Sequence, residues 1–413
     1  MLVKLFFRAR DHARERAGLA RLHAAGIPAP ALRWLVELPG AWLLATAFLP
    51  GAQSLAERIR TAPEAEVDIA ATLELLGALH RAQLIQTDPH LDNFLFCDGK
   101  PYIIDGAGIH PAKNKNARRA NLALFLAQFE PCWDHRLLAL LPAYGTPPPD
   151  PAALAREVLR ARQRRLRDYR AKCLRTCGEF VIERGWDRFV ARRRDCADPR
   201  LAELLAVPET GIAAGHWLKD GNTASVLRIS DAGSDLVVKR YNIKHWRHGL
   251  SRAPRRSRAW VAWQNANMLA LLGVSTPQAL ALLEHRLGPL RRSAYLISEY
   301  SAGVPLQDWL RQQGETVVPD WLDRALLDIL AALAAARISH GDLKASNFLV
   351  QDARLLLIDL DAMRLHRCAW RFRRTRRRDL ARFLDNWDGA IRRHFENLLA
   401  PLRASVQPAR PEH

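Results

Sequence analysis

The stretch HGDLKASNFL, His340–Leu349, sets an aspartate, a lysine two residues on and an asparagine five residues on in one short loop: Asp342, Lys344 and Asn347. A further aspartate, Asp359, follows Asp342 by 17 residues at the end of the apolar run LLLID. Phosphoryl transfer asks for such a set. It needs little covalent work from protein, but it needs magnesium held against the phosphates, a lysine near them and a carboxylate beside the accepting hydroxyl. In that scheme Asp342 accepts or orients the acceptor proton and Lys344 reaches the transferring phosphate. Asn347 and Asp359 offer hard oxygen ligands to Mg²⁺. Lys239, near the end of LVVKRYN, is placed for the α- and β-phosphates of ATP. LKDGNTASVLRI, Leu218–Ile229, reads as a turn between strands whose backbone at Gly221, Asn222 and Thr223 covers the phosphates. Glu299, in AYLISEYSAG, joins the nucleotide-binding set.

Much the same arrangement stands some 250 residues earlier, in TDPHLDNFLF. Asp88 takes the catalytic position, Asn93 and Asp105 the metal positions, and Asp105 again follows Asp88 by 17 residues. His90 stands where the later copy has Lys344, and LVKLFF brings Lys4 where the later copy has Lys239. The elements that must position these residues recur in the same order. AAGIPAPAL matches LLGVSTPQAL, a helical stretch stopped at glycine with a proline in the extended exit. WLLATAFLPGAQSL matches AYLISEYSAGVPLQDWL, YIIDGAG matches LLLIDLDAM, and RRANLALFLAQF matches RRRDLARFLDNW. The chain reads as an internal repeat of two.

At 413 residues it has room for two domains and a connector. The divisions expected are 1–145, a Pro-rich junction and basic helical connector over 146–208, and 209–413. The net charge of +19, much of it arginine, points to an anionic partner. Six cysteines with no ligand spacing read as reduced thiols, neither a disulfide framework nor a zinc site. No run reaches the ~20 apolar residues that cross a bilayer, and MLVKLFFRARD lacks a cleavage site for a signal peptide.

On VVKRY, the GIPAP and GVSTP stops, HGDLKASNFL and LLLIDLD, the chain resembles the protein-kinase-like fold. Within that fold it resembles the bacterial lipopolysaccharide core sugar kinases, the heptose and Kdo kinases. The resemblance implies an α+β fold in two tandem kinase-like domains, each with a small sheet-containing lobe and a mainly helical lobe. It implies ATP and Mg²⁺, and a sugar hydroxyl of the lipopolysaccharide core as acceptor. The place of work would be the cytoplasmic face of the inner membrane, peripheral on its anionic surface, and no nucleic acid is expected as a partner. Two features depart from a regulated protein kinase. Gly341 replaces the arginine that would meet a phosphorylated loop, and only 20 residues separate Asp359 from Asp379, with no peptide-docking segment. What stands there is RLHRCAWRFRRTRRRDLARF, arginines beside the acceptor position.

The halves differ. The first starts three residues before Lys4, so the expectation is a sheet lobe truncated by the opening strands and the phosphate-covering turn. It keeps Glu15, placed to pair with Lys4 as the family's helix glutamate does. In the second, Ala262 takes that position, and either Gln264 or some other group holds Lys239. The expectation is a catalytic second half. The first is then a scaffolding pseudokinase or a kinase shortened by a misassigned start codon. Two alternatives stay open: an atypical HGD-type protein or small-molecule kinase, and a catalytically inactive kinase-like binding protein.

Overall fold

The computed structural model describes the chain except for residues 62–64, 146–149, 197, 210–214, 222–223, 231–234, 242–255, 289, 315–316 and 405–413. It divides into two compact units, Met1–Arg164 and Arg165–His413, each mixing helix and sheet.

The second unit carries an antiparallel seven-stranded sheet. Its order is His216–Asp220, Ala224–Ile229, Leu236–Tyr241, Leu290–Glu299, Ala279–Leu287, Arg188–Arg193, Phe180–Arg184. Strand alternation gives the sheet two apolar faces. Leu236, Val238, Leu227 and Ile297 pack with Leu201 and Leu204 of the helix Pro199–Ala206, which is capped by Asp198. Phe189, Ala191, Leu282 and Ala294 belong to a second core with Trp260 and Trp263 of the helix Arg258–Ala270.

The last two strands correct the expected connector over 146–208. Its basic run does form a helix, Pro151–Lys172, but Phe180–Arg184 and Arg188–Arg193 extend the sheet. Arginines at every turn of this hairpin hide its alternation in the sequence. In the structure Arg184 of the hairpin lies over its Phe189 ring, with the guanidinium carbon 5.1 Å from the ring centre, and Arg286 of the neighbouring strand lies over the same ring at 4.6 Å.

After Glu299 the second unit turns mainly helical, with Leu306–Gln312, Asp320–Ala335, Ala369–Leu384 and Gly389–Ala404. Between them lie the hairpin Phe348–Gln351/Arg354–Leu357 and the short pair Ile338–Ser339/Arg364–Leu365. The first unit has the same order on a smaller scale. A strand Leu2–Phe6 is followed by the helix Ala9–Ala24 and the strands Leu32–Leu38 and Ala41–Thr46. Next come the helix Ala65–Arg81, the hairpin Phe94–Cys97/Lys100–Ile103, the pair Leu84–Gln86/Ile109–Pro111 and the helix Lys115–Leu126. The glycines after the helices Ala9–Ala24 and Arg258–Ala270, Gly26 and Gly273, both have φ of 66°, which explains why the helices stop there.

Hairpin register then brings the chemistry together. Phe94 pairs with Ile103 and Phe348 with Leu357, so each asparagine and its aspartate reach the same end of a hairpin. The closing bonds match: Ile104 N donates to Asn93 O at 3.2 Å and Ile358 N to Asn347 O at 2.9 Å.

Candidate active site

In the second unit one helix, Ala369–Leu384, and the turn after it fix the loop His340–Asn347 at three points. The buried Asp379 carboxylate accepts from His340 N at 2.8 Å and Gly341 N at 3.0 Å. Arg382 pairs with Asp342, and Asn386 Oδ1 accepts from Ala345 N at 2.7 Å. Burial pushes the Asp379 pKa up, with those backbone N–H groups and His340 opposing it. Lys344 Nζ reaches Asp342 Oδ2 at 3.0 Å, so the expected base stands between two cations. Gly341 has φ of 83°, and a Cβ there would come within 2.7 Å of Ala362 O. The loop can pass the turn after Asp359 only with glycine at this place.

Asn347 donates Nδ2 to Asp342 O at 2.8 Å, which leaves its Oδ1 without a hydrogen bond among the described residues. Asp359, in the left-handed conformation with φ of 60°, turns its carboxylate to Lys239, whose Nζ lies 2.5 Å from Oδ1. Burial works to raise the Asp359 pKa, but Lys239, Arg258 and His340 outweigh it and the carboxyl lies below its ordinary value. The donor set, one carboxylate and one amide oxygen, suits Mg²⁺, which takes few protein ligands and completes its shell with phosphates and water. No group of three or more His, Cys, Asp or Glu converges among the described residues.

Lys239 has a second partner that sequence reasoning missed. Asp361 Oδ2 lies 3.3 Å from its Nζ, and Arg258 Nη2 reaches the same carboxylate oxygen at 2.9 Å. Gln264, named as a substitute for the missing helix glutamate, does not fill that role. Its amide donates to Arg170 O at 2.7 Å, and its oxygen accepts from Arg170 and Arg256. The repeated D-x-D of LLLIDLD was the available signal for Asp361.

The remaining nucleotide positions are mixed. Gly221 makes a tight turn, a Cβ there meeting Ala224 O at 2.9 Å, while Asn222 and Thr223 lie outside the described residues. Glu299 is exposed at its strand end opposite Leu236, whereas Lys239 pairs with Leu296. Three residues of strand, about 10 Å, therefore separate it from the lysine's level in the sheet.

In the first unit Lys4 Nζ is 2.5 Å from Glu15 Oε1, as expected, and 3.2 Å from Ile104 O. Glu15 Oε2 also accepts from Ala107 N at 2.8 Å. Asp105 has extended backbone and accepts from Ala107 N at 3.2 Å, which closes its own turn. Asp88 is exposed, and Leu124 occupies the position that holds Arg382 in the other unit. Asn93 donates to Asp88 O at 2.9 Å, and His90 turns to Asp92 at 3.1 Å.

The second unit has a basic cleft of about 580 Å³, lined by Arg364, Arg367, Trp370, Arg371, Arg374 and Arg378. A further cleft of about 640 Å³ shares Arg364 and Arg378 and reaches Arg170, Gly341 and Asp361. His366, between them, meets Ser339 Oγ at 2.7 Å. Burial first, then Arg364 and Arg371, push its pKa down.

Comparison with known proteins places the resemblance on this unit. Residues 212–398 match the model of the lipopolysaccharide kinase (Kdo/WaaP) family. Among solved structures, WaaP in complex with acyl carrier protein is 22% identical, covers 51% of this chain and 95% of its own, and has a TM-score of 0.36. A thermostable mutant of the aminoglycoside phosphotransferase APH(4)-Ia is 14% identical, with coverage of 46% and 80% and a TM-score of 0.29. No curated protein matches.

Proposed function

Starting from a second unit that resembles the lipopolysaccharide kinase (Kdo/WaaP) family, we propose that it transfers a phosphoryl group from ATP to a sugar hydroxyl of the lipopolysaccharide inner core. One observation carries the reading. The family match falls on the unit where Lys239, Asp342, Asn347 and Asp359 are held by mutually consistent contacts. Asp342 orients the acceptor hydroxyl, with Arg382 and Lys344 fixing its two oxygens. Lys239 takes the α- and β-phosphates. Asn347 and Asp359 would hold Mg²⁺, which supplies charge neutralisation at the phosphates.

The acceptor, a heptose or Kdo, belongs in the arginine cleft. Guanidinium forks match phosphate and carboxylate geometry, so an anionic sugar is favoured there over a cationic aminoglycoside. Among the described residues no helix is long and apolar enough to cross a membrane. Work at the cytoplasmic leaflet would then be peripheral, with each arginine near an anionic surface contributing about 1 kcal/mol before screening. In this proposal the first unit is a kinase-like companion without turnover of its own.

The test is mass spectrometry of lipopolysaccharide core from cells lacking this protein, complemented with wild type or with Arg371, Arg374 and Arg378 all changed to Gln. Loss of one phosphate, restored by wild type and not by the triple variant, is expected. An unchanged phosphate count on both heptose and Kdo, with no other such kinase in the cell, would sink the assignment.

A further inference from the structure

Lys239 touches two carboxylates, and their surroundings differ. Asp359 keeps 31% of its side-chain surface and sits at the hairpin end beside Asn347, where a metal ligand is wanted. Asp361 keeps 2%, enclosed by Lys239, Arg258 and the buried ring of Tyr241. A carboxylate that gives its oxygens to a cation has less to offer the lysine, so a site of this kind needs a second carboxylate for that task. In the first unit the task falls to Glu15, also 2% exposed, on the helix after the lysine strand.

The second unit lacks that glutamate, yet each link of the arrangement is present by another route. Asp105 and Asp359 are equivalent, so Ala107 and Asp361 occupy the same step of the turn. In the first unit Glu15 joins Lys4 to Ala107 N. In the second, Asp361 itself meets the lysine, and Arg258 at the helix start reaches back to it at 3.0 Å on Oδ1. Lower on the same helix, Asn265 Nδ2 donates to Leu360 O at 2.8 Å, tying helix to turn a second time.

We infer that Asp361 is the positioning residue of the nucleotide site, holding Lys239 toward the phosphates in place of a helix glutamate and leaving Asp359 for the metal. The inference rests on the kinase reading above. It assigns the role to the turn in place of the helix, and gives Arg258 the part of securing Asp361 from the helix side.

The experiment compares wild type and Asp361→Asn as full-length protein, by calorimetric titration with ATP plus Mg²⁺ and, separately, with adenosine. Adenosine has no phosphates for Lys239 to hold. ATP affinity should fall about tenfold or more, the scale of one charge-assisted hydrogen bond, while adenosine affinity stays within about twofold. Equal losses for both ligands would mean that Asp361 only supports the fold, and no loss for either would remove it from the site. A wild type that binds no ATP takes down the kinase reading itself, a result visible without any variant. If circular dichroism shows Asp361→Asn unfolded, the double variant Asp361→Ala with Ala262→Glu decides, since it moves the carboxylate to the helix. ATP binding by that variant within about threefold of wild type sustains the inference, and a folded double variant blind to ATP overturns it.

Discussion

Lys4 lies in the strand Leu2–Phe6 and Lys239 in the strand Leu236–Tyr241, and both are held by a nearly inaccessible carboxylate, but one carboxylate comes from a helix and the other from a turn. The same trade recurs where helix and turn touch. In the first unit Gly18 lies so close to the turn that a Cβ would fall 1.7 Å from Gly106 O. At the matching place the second unit has Asn265, which keeps the turn at hydrogen-bond distance. Where the aspartate loop crosses the turn, glycine stands on the turn side in one unit, Gly108 beside Thr87, and on the loop side in the other, Gly341 beside Ala362. At these places the units resemble each other more in contacts than in residues. What separates them is the aim of the aspartates. Asp359 turns toward Lys239, while Asp105 folds back on its own turn and Asp88, exposed, has no guanidinium paired with it among the described residues.

The sharpest way to break this contrast is to neutralise each loop aspartate in turn. Asp342→Asn should lower phosphate transfer by ~10²-fold or more, the usual scale for a positioned acid–base group. Asp88→Asn should leave it within about twofold, since an exposed residue outside the transfer site contributes little to a barrier. Radiolabel transfer from ATP to purified core measures both, and a comparable loss from Asp88→Asn would make the first unit a catalyst.

The next effect is on stability. Gly18→Ala forces a methyl group into a backbone oxygen and should cost about 3 kcal/mol, the upper range for overpacking. Hydrogen exchange over residues 9–24 would report it, and protection equal to wild type would mean that the helix can shift freely.

A smaller effect depends on pH. Burial holds His80 down at about 4 from 6.5, while the Asn121 hydrogen bond opposes the shift. The folded first unit therefore keeps a neutral imidazole where the unfolded chain takes up a proton. Its stabilising contribution is complete above pH 6.5 and is lost as pH falls toward 4. Between pH 7 and pH 5 the loss should be roughly 2 kcal/mol. Exchange protection over 65–81 should fall accordingly in wild type and stay flatter in His80→Gln.

The smallest change expected is from Asn265→Ala, about 1 kcal/mol for the hydrogen bonds to Leu360 O and Met363 O. Denaturant unfolding of the full chain checks it, and a cost above that of Gly18→Ala would reverse the ranking drawn between the units.

Much of the site could be read in the sequence because its spacing is local. Asp342, Asn347 and Asp359 lie along one loop and one hairpin, so strand geometry alone brings them together. The lysine strand and glycine stops were legible for the same reason. Asp379, Arg382 and Asn386 were not, although RRRDLARFLDNW aligns with RRANLALFLAQF. Their bonds to the loop span about 40 residues, and nothing in the spacing reveals which helix face meets which backbone amide. Gln264 failed as a substitute for a similar reason. One turn of helix decides between facing Lys239 and facing Arg170, and tertiary packing sets that rotation.

Gly341 also bears on how a loop of this kind can be governed. Kinases that answer to phosphorylation of their own chain use an arginine at this place to sense the added charge. Here any side chain would need a left-handed backbone and would collide with Ala362 O. An arginine could enter only if the turn after Asp359 were rebuilt at the same time, two changes that are each harmful alone. The geometry of the loop therefore holds this position for glycine and closes it to an arginine that would sense such a charge.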